Sequence, residues 1–296
     1  MSDTLASAID ALWHPLPGAG FTLGYGTNGF ADHPLDRALE VLEVTGYGAI
    51  ALTLGHPHLD PFTGDADAQA ARLRVRLDEM GWRVVVETGT RYLLDPFVKH
   101  RPTLVDVDAE SRMVFLRRAI DLAVVLRADC VSLWSGVVPD HMSRAEAWRL
   151  LVGRMREIVA YADASGVVLG FEPEPGMLVE TVADALTLRD ELGSPDALGI
   201  TVDLGHCVAV EPGGVVGALR AAGDLLVNVQ VDDMLPGVHE HLELGSGRLD
   251  LAAALTTLHE IVYHGVAAVE LPRHSHDAPG TAARSMRALR TAWEKR

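Results

Sequence analysis

Four short apolar runs in the second half of the chain each lead into a polar side chain that could bind a cation. The runs read FEPEP, VDLGH, VNVQVDD and VELPRHSH, and they present Glu172, Asp203, Gln230 and Glu270. Three carboxylates and one amide oxygen make a donor set typical of a divalent metal site. Whether they form one site depends on the elements that carry them.

Strand parity predicts that these four side chains share a face, because alternate residues of a strand point to opposite sides of a sheet. One parity is bulky and apolar and is predicted to face outer helices: Leu169, Phe171, Ile200, Val202, Val227, Val229, Val231 and Val269. The opposite parity holds the four candidate ligands, together with Asn228 and Asp232. We therefore expect the four oxygen-bearing groups to converge at neighbouring strand ends.

Carboxylates gathered in a confined site repel one another and lose hydration, and a bound cation compensates for both effects. Oxygen donors favour Mg, Mn or Co, and zinc also accepts carboxylates, so one divalent metal of open identity is predicted. The alternative is that these are ordinary strand-end acids that cap helices or pair with arginine.

Eight β-rich runs alternate with helical segments along the chain, which is typical of parallel βα units. The predicted strands are Thr22–Gly26, Ala49–Leu54, Arg83–Thr88, Cys130–Trp134, Val167–Phe171, Gly199–Asp203, Leu225–Val231 and Val266–Glu270. The predicted helices are Leu35–Val44, Ala68–Met80, Arg112–Leu126, Arg144–Ala164, Val182–Leu192, Val215–Ala221, Leu249–Tyr263 and Ala282–Trp293. Glycines that precede strands, at positions 46, 81, 166 and 265, are expected to cap the helices before them.

This alternation predicts a (β/α)8 TIM barrel that forms a single domain over residues 1–296, since no linker-like tract interrupts it. The longest connection, Gly89–Asp108, is expected to cover the mouth of the barrel. An open doubly wound sheet is the alternative fold, and the G-x-G-x-x-G match at Gly24, Gly26 and Gly29 would suit a dinucleotide. The second strand, however, ends in histidines rather than in an acidic ribose partner, so the glycines are better explained as making room at a strand end.

Composition narrows the class of partner. The formal charge is −16, from 41 acidic and 25 basic residues, which argues against nucleic acid as a partner because phosphate binding needs cations. Cys130 and Cys207 lie in apolar surroundings, so a disulfide framework is not expected. The N-terminus MSDTLASAIDALWH lacks a targeting pattern and no long apolar run follows, which predicts a cytoplasmic protein without membrane association.

With these motifs in place, the sequence resembles the xylose-isomerase-like barrels, a group of sugar isomerases and epimerases that also includes apurinic endonucleases. The resemblance spans essentially the whole chain and is most specific in LGFEPEPG, ITVDLGH, VNVQVDD with HLELGSGRLD, and AAVELPR. It implies Glu172, Asp203, Gln230 and Glu270 as metal ligands and His206 as a group that contacts substrate oxygens. Many relatives carry His where this chain has Gln230, although an amide oxygen can also bind a hard cation.

The resemblance further implies a metal-dependent isomerase or epimerase of a ketose, sugar phosphate or related polyol. Such enzymes remove a carbon proton to form an enediolate, with Glu172 and Glu270 as the acid/base pair and His206 beside the reacting oxygens. The predicted partner is therefore a small carbohydrate or polyol, and a homodimer is possible through outer helices or loops.

Several further side chains are predicted to contact substrate. They are Glu87, Arg91, His56, Trp134, His241 and Arg273, of which Trp134 would form an apolar wall and Arg273 would bind an anionic substituent. His239 and His241 are spaced to share a face, where they would line the pocket or hold a second metal.

Three other functions remain open at this point. A metal-dependent dehydratase of a cyclitol or hydroxy acid needs the same metal and bases, and Gln230 leans towards it. An apurinic endonuclease would need more metals and a basic groove, against which the net charge argues. A barrel kept only for binding is disfavoured by the intact acidic residues at the strand ends.

Overall fold

The computed structural model of the protein describes residues 16–296. The predicted lack of a targeting sequence concerns the N-terminal segment, which lies outside that range. The described chain forms one closed barrel of eight parallel strands, which confirms the predicted fold. Closure also excludes the open doubly wound sheet, because that sheet would leave two unpaired edges.

The strands follow the predicted runs to within a residue or two. The barrel strands are β1 (Thr22–Gly26), β2 (Ala49–Thr53), β3 (Arg83–Glu87), β4 (Val131–Leu133), β5 (Leu169–Phe171), β6 (Leu198–Asp203), β7 (Leu226–Val231) and β10 (Val266–Val269), and β8 (Asp233–Leu235) and β9 (Val238–Leu242) form a separate antiparallel hairpin. Around the barrel the neighbours are β1, β10, β7, β6, β5, β4, β3 and β2. The strands β5, β6, β7 and β10 that carry the candidate ligands are thus consecutive neighbours.

Nine α-helices surround the barrel within residues 16–296. They span Leu35–Thr45, Ala66–Met80, Glu110–Leu126, Arg144–Ser165, Val182–Glu191, Leu204–Val210, Gly214–Ala222, Leu251–Glu260 and Ala278–Trp293. None of these helices has both the length and the apolar character that crossing a bilayer requires.

The hydrophobic core has two layers. The larger lies between the strands and the outer helices, and a smaller one fills the barrel axis with Ala49, Ala51, Val85, Cys130, Val266 and Ala268. Gly24 faces this crowded axis, where an added Cβ would lie 2.9 Å from Val266 Cγ1. The glycine of the G-x-G match is therefore needed for packing in the barrel.

One parity assignment is wrong. Val227 packs against the cluster on the barrel axis and does not face the helices. The cause is an irregularity in the β6–β7 ladder, where Ile200 pairs with Leu226 but Thr201 pairs with Asn228, so that Val227 is an extra residue. Beyond this bulge the inward parity of Gln230 is kept.

Three local features differ from the predictions. The hairpin β8–β9 and the short helix Leu204–Val210 are additional elements, the second of which begins directly after β6. Gly46, Gly81 and Gly166 do cap their helices in the left-handed conformation. Gly265 does not, because the preceding helix ends at Glu260, and an added Cβ there would instead meet the ring of Tyr263.

Candidate metal centre and active site

A cavity of about 590 Å³ opens at the carboxyl ends of the barrel strands. It is lined by ten of the eleven predicted site residues: Glu172, Gln230, Glu270, His206, Glu87, Arg91, His56, Trp134, His241 and Arg273. The eleventh, Asp203, is buried just beneath the cavity surface. We refer to Glu172, Asp203, Gln230 and Glu270 together as the floor.

Asp203 lies at the centre of the floor. Its Oδ1 accepts the backbone N–H of His206 at 2.7 Å and so caps the helix Leu204–Val210, as a strand-end acid often does. Its Oδ2 is buried and has no hydrogen-bond partner among residues 16–296. The helix-capping alternative therefore accounts for one oxygen and leaves the other free for a ligand.

Glu172 approaches Asp203 from β5. Ligand atoms of Glu172, Asp203 and His206 all lie within 4.8 Å of one another. The carboxyl group is buried, and its Oε2 accepts a hydrogen bond from Ser132 Oγ at 3.4 Å. The carboxyl group of Glu172 thus lies beside Asp203 and His206.

Gln230 and Glu270 complete the floor on the other side. Gln230 pairs with Asp203 across β6–β7 and with Ala268 across β7–β10, so its side chain leaves the sheet between the other ligands. Its buried Oε1 has no hydrogen-bond partner among the described residues. Glu270 Oε1 accepts from Asn28 Nδ2 at 2.7 Å, and ligand atoms of Asp203, His241 and Glu270 also lie within 4.8 Å of one another.

Burial and mutual repulsion make the charged forms of the floor carboxyl groups unfavourable. Burial raises the pKa of Glu172 well above its ordinary value, and the neighbouring carboxyl groups of Glu174 and Glu270 raise it further. Burial likewise raises the pKa of Glu270. A divalent ion would stabilise these carboxylates and satisfy the free oxygens of Asp203 and Gln230, so the donor set fits a metal.

His206 adjoins the floor as a neutral imidazole. Its Nδ1 lies 3.2 Å from the carbonyl oxygen of Pro173, which makes Nδ1 the protonated nitrogen and leaves Nε2 as an acceptor without a partner in residues 16–296. Burial lowers the pKa of His206 to about 4. The ring is thus oriented to accept a hydrogen bond from a bound hydroxyl group.

The hairpin β8–β9 brings two more histidines to the site. The rings of His206, His239 and His241 are close together, and their ligand nitrogens all lie within 4.8 Å of one another. His241 Nδ1 is 2.5 Å from Asp232 Oδ2. Burial opposes the charged form of His241, but the hydrogen bond and charge of Asp232 prevail and raise its pKa to about 10. His241 therefore carries a positive charge beside the floor.

The walls of the cavity contain Glu87 and Trp134. Glu87 is buried and accepts a hydrogen bond from Asn228 Nδ2 at 3.2 Å, and burial followed by the charge of Glu270 raises its pKa well above the ordinary value. Trp134 presents its ring to the cavity and is backed by the guanidinium of Arg112, 4.9 Å from the ring centre. A sugar ring stacked on Trp134 would contact an apolar surface.

The three remaining predicted residues lie at the mouth, where each already contacts protein. His56 Nδ1 is 2.8 Å from Asp60 Oδ2, and Arg91 donates to the carbonyl oxygen of Pro272 at 2.9 Å. Arg273 pairs with Glu240 at 2.5 Å. These residues border the entrance, and the charge of Arg91 acts on Glu270 of the floor.

Sequence reasoning missed three residues that border the cavity. Glu174 has the same parity as Glu172, and that spacing was the signal; burial raises its pKa to about 8. Asn28 lies two residues after the end of β1 and donates a hydrogen bond to Glu270. Lys99 lies in the long connection after β3, and no periodicity in the sequence marks it.

The sequence matches the family described as xylose isomerase-like TIM barrel over residues 39–292, and the chain belongs to this family.

Solved structures with the same fold include sugar epimerases. A structure of the IolI protein with a bound zinc atom has a TM-score of 0.75 at 18% identity, covering 93% of this chain and 99% of that one. An L-ribulose 3-epimerase has a TM-score of 0.72 at 20% identity, covering 93% and 96%. The 3-keto-D-glucoside 4-epimerase of E. coli has a TM-score of 0.71 at 18% identity, covering 92% and 99%. At these identities the likeness concerns the fold.

Proposed function

We propose that the protein is a divalent-metal-dependent isomerase or epimerase that moves a proton at a carbon next to the carbonyl group of a ketose or related polyol. One observation carries the proposal. Glu172 and Glu270 line the same cavity, and Asp203 belongs to both groups of ligand atoms that lie within 4.8 Å of one another. Two carboxyl groups thus flank a common centre, as a two-base proton transfer requires.

The named activities of the structural neighbours support a carbohydrate substrate. They include epimerases of L-ribulose and of a 3-keto-D-glucoside. The zinc atom in the IolI structure supports a metal in this fold.

The metal would be held by the four floor residues, Glu172, Asp203, Gln230 and Glu270. Two of them, Asp203 and Gln230, have a buried oxygen without a hydrogen-bond partner in residues 16–296. A divalent ion bound there supplies Lewis-acid polarisation of a substrate carbonyl, worth several kcal/mol of developing negative charge.

The chain's own groups handle the proton. Glu270 accepts a hydrogen bond from Asn28 and Glu172 accepts one from Ser132, so each carboxyl group has its own orienting partner. In the proposed reaction one of them removes the proton beside the carbonyl, giving an enediolate, and the other returns a proton to the opposite face or to the adjacent carbon. His206 Nε2 accepts a hydrogen bond from the reacting hydroxyl group, and Trp134 excludes water from one side of the sugar.

The test is solvent exchange followed by NMR. The Mn²⁺-loaded protein is incubated in D2O with L-ribulose, D-tagatose or D-psicose, and deuterium incorporation at the carbon next to the carbonyl is measured. We expect incorporation with the wild-type protein and its loss in Glu172→Gln and Glu270→Gln. Glu157→Gln is the matched control, because Glu157 is exposed on an outer helix and its one ion pair within residues 16–296 is with Arg117.

Absence of exchange with every ketose in the metal-loaded protein would contradict the proposal. The same samples are examined by mass spectrometry with an inosose added. A product lighter by about 18 Da would show loss of water and replace isomerisation with dehydration.

A further inference from the structure

The mouth of the cavity carries a cluster of positive charge that the proposed proton transfer does not use. Arg91, Lys99 and Arg273 all line the cavity on the side of the solvent. We call these three residues the cationic rim. In a chain with a formal charge of −16, three basic side chains at one cavity mouth stand out.

Two loops fold so as to bring the cationic rim together. The backbone N–H of His100 donates to the carbonyl oxygen of Arg91 at 2.6 Å, which places Lys99 beside Arg91 within the connection after β3. Arg91 then reaches across the mouth and donates to the carbonyl oxygen of Pro272, the neighbour of Arg273. The arrangement is therefore built by specific contacts between the β3 and β10 connections.

Lys99 is the member of the rim with a free charge. Lys99 and Lys295 are the only lysines in the sequence, and Lys99 forms no salt bridge or side-chain hydrogen bond with any residue in 16–296. Partial burial lowers the pKa of Lys99, and the charges of Arg91 and Arg273 lower it further, while Glu174 acts in the opposite sense. Like charges held this close are stabilised by an anion bound among them.

The cavity is large enough for one ligand to contact both the floor and the cationic rim. Its volume of about 590 Å³ lies within the roughly 300–1,000 Å³ typical of pockets for ligands of drug size, so a sugar on the floor leaves room for a substituent. A molecule that spans the cavity would place its reacting carbons at the floor and its far end at the rim.

We propose that the substrate carries an anionic group, a carboxylate or a phosphate, at the end remote from the reacting carbons, and that Lys99, Arg91 and Arg273 bind it. This inference rests on the proposed function, because it places the reacting end of the same molecule at the floor. Arg273 is partly neutralised by Glu240, so Lys99 and Arg91 provide most of the attraction.

The first test measures binding and does not depend on turnover. Inorganic phosphate and succinate are titrated separately into metal-depleted protein, and binding is followed by isothermal calorimetry and by NMR line broadening. We expect at least one anion to bind, with Kd about tenfold weaker in Lys99→Gln and in Arg91→Gln, as for loss of one charge-assisted contact. Lys295→Gln, which replaces the exposed second lysine, should leave Kd unchanged.

The two anions distinguish the source of the negative charge, since a phosphate site favours the first and a carboxylate site the second. If neither anion binds, or if Lys99→Gln and Arg91→Gln bind both as tightly as the wild-type protein does, the inference is wrong. Two separate variants guard against a misfolded one, because Arg91 also holds the β10 connection through Pro272.

The second test uses the exchange assay with D-fructose, D-fructose 6-phosphate and D-fructuronate. We expect kcat/KM to be higher for one of the anionic ketoses, and Lys99→Gln to lower kcat/KM for that ketose by about tenfold more than it lowers kcat/KM for D-fructose. Exchange that is equal for all three ketoses, and insensitive to Lys99→Gln, would overturn the inference but leave the proposed function standing. No exchange with any ketose, together with anion binding that depends on Lys99, would instead count against the proposed function alone.

Discussion

The floor and the connection after β3 border the same cavity, yet they are held in place by different means. Each floor residue lies within the last two positions of a barrel strand or directly after it, so the ladders between neighbouring strands fix its position. The connection after β3, residues 88–109, which we call the β3 loop, has no ladder. Two arginines hold it through backbone carbonyl groups.

Arg112 is the main support of the β3 loop. It is 3% exposed and donates to the carbonyl oxygens of Thr88, His100 and Pro102. Burial lowers its pKa to about 10, so it remains charged at neutral pH. Arg154 supports the far half of the loop through the carbonyl groups of residues 104, 106 and 107.

This difference predicts which mutations should reduce activity alone and which should also reduce stability. A floor side chain can be changed without moving the backbone that carries it, because the sheet sets that backbone. A side chain that supports the β3 loop cannot be changed without disturbing the backbone, because its removal leaves several carbonyl groups without hydrogen-bond donors. We therefore expect floor variants to lose activity at constant stability, and loop variants to lose order and substrate binding together.

The largest effect is expected for the carboxyl pair of the floor. Glu172→Gln and Glu270→Gln keep the shape and still accept the hydrogen bonds from Ser132 and Asn28, but neither can carry the proton. On the proposed function, kcat should fall by about 10²–10⁴, the contribution usual for a general acid or base. Steady-state kinetics with the exchanging ketose measures this fall.

Thermal unfolding of the metal-free variants provides the structural half of that comparison. Because each change removes a buried carboxyl group that repels its neighbours, Tm should not decrease. A Tm lower by many degrees in both variants would mean that the floor carboxyl groups support the fold as well as the chemistry.

The next effect is expected for Arg112→Met, which keeps an apolar stem and removes the donors. Three carbonyl groups lose a charged partner, and the expected cost is about 3 kcal/mol of unfolding free energy. Hydrogen exchange in residues 88–109 should accelerate and KM should rise. Arg117→Met on the same helix is the control, because its surface pair with Glu157 contributes at most about 1 kcal/mol. Equal losses in the two variants would show that Arg112 has no special role.

A smaller effect is expected for Asp203→Asn, which separates the two roles of one side chain. Asparagine caps a helix as well as aspartate does, so the helix Leu204–Val210 should persist. The free carboxylate oxygen becomes part of a neutral amide, and metal affinity should fall by at least about tenfold, the lower bound for changes around a metal site. Metal content after dialysis against graded chelator measures this loss. Unchanged metal affinity would exclude Asp203 from the site.

The floor was accessible to sequence reasoning because strand parity and chain order suffice to bring its members together. Glu172, Asp203, Gln230 and Glu270 come from adjacent strands, and their inward direction follows from counting residues. Parity failed only at Val227, where a bulge adds one residue to β7 and the sequence bears no mark of it. The barrel itself was predictable from the alternation of eight β-rich runs with helical segments and from the absence of a linker.

The β3 loop was not accessible in this way. Its length suggested a cover for the mouth, but its path depends on Arg112 and Arg154, whose partners are backbone carbonyl groups distant in sequence. Carbonyl acceptors have no residue identity, so no pattern marks them. Arg91 and Arg273 of the cationic rim were predicted to contact substrate, but Lys99 was missed because its position follows from that path.

The smallest effect concerns acidity in the β3 loop. Burial lowers the pKa of His100 to about 4, from an ordinary value of 6.5, and the charge of Lys99 adds to the effect. Below pH 6.5 the unfolded loop binds a proton that the folded loop rejects, so the stability of the loop should fall as the pH drops from 6.5 towards 4. Hydrogen exchange of residues 88–109, corrected for the intrinsic rate, should therefore increase over this range. In His100→Gln this increase in exchange should be smaller. Residue 100 has a positive φ of 65°, so the substitution also adds backbone strain. That strain does not depend on pH, and it therefore cancels when exchange at the two ends of the pH range is compared. An unchanged pH dependence in this variant would assign the effect to another group.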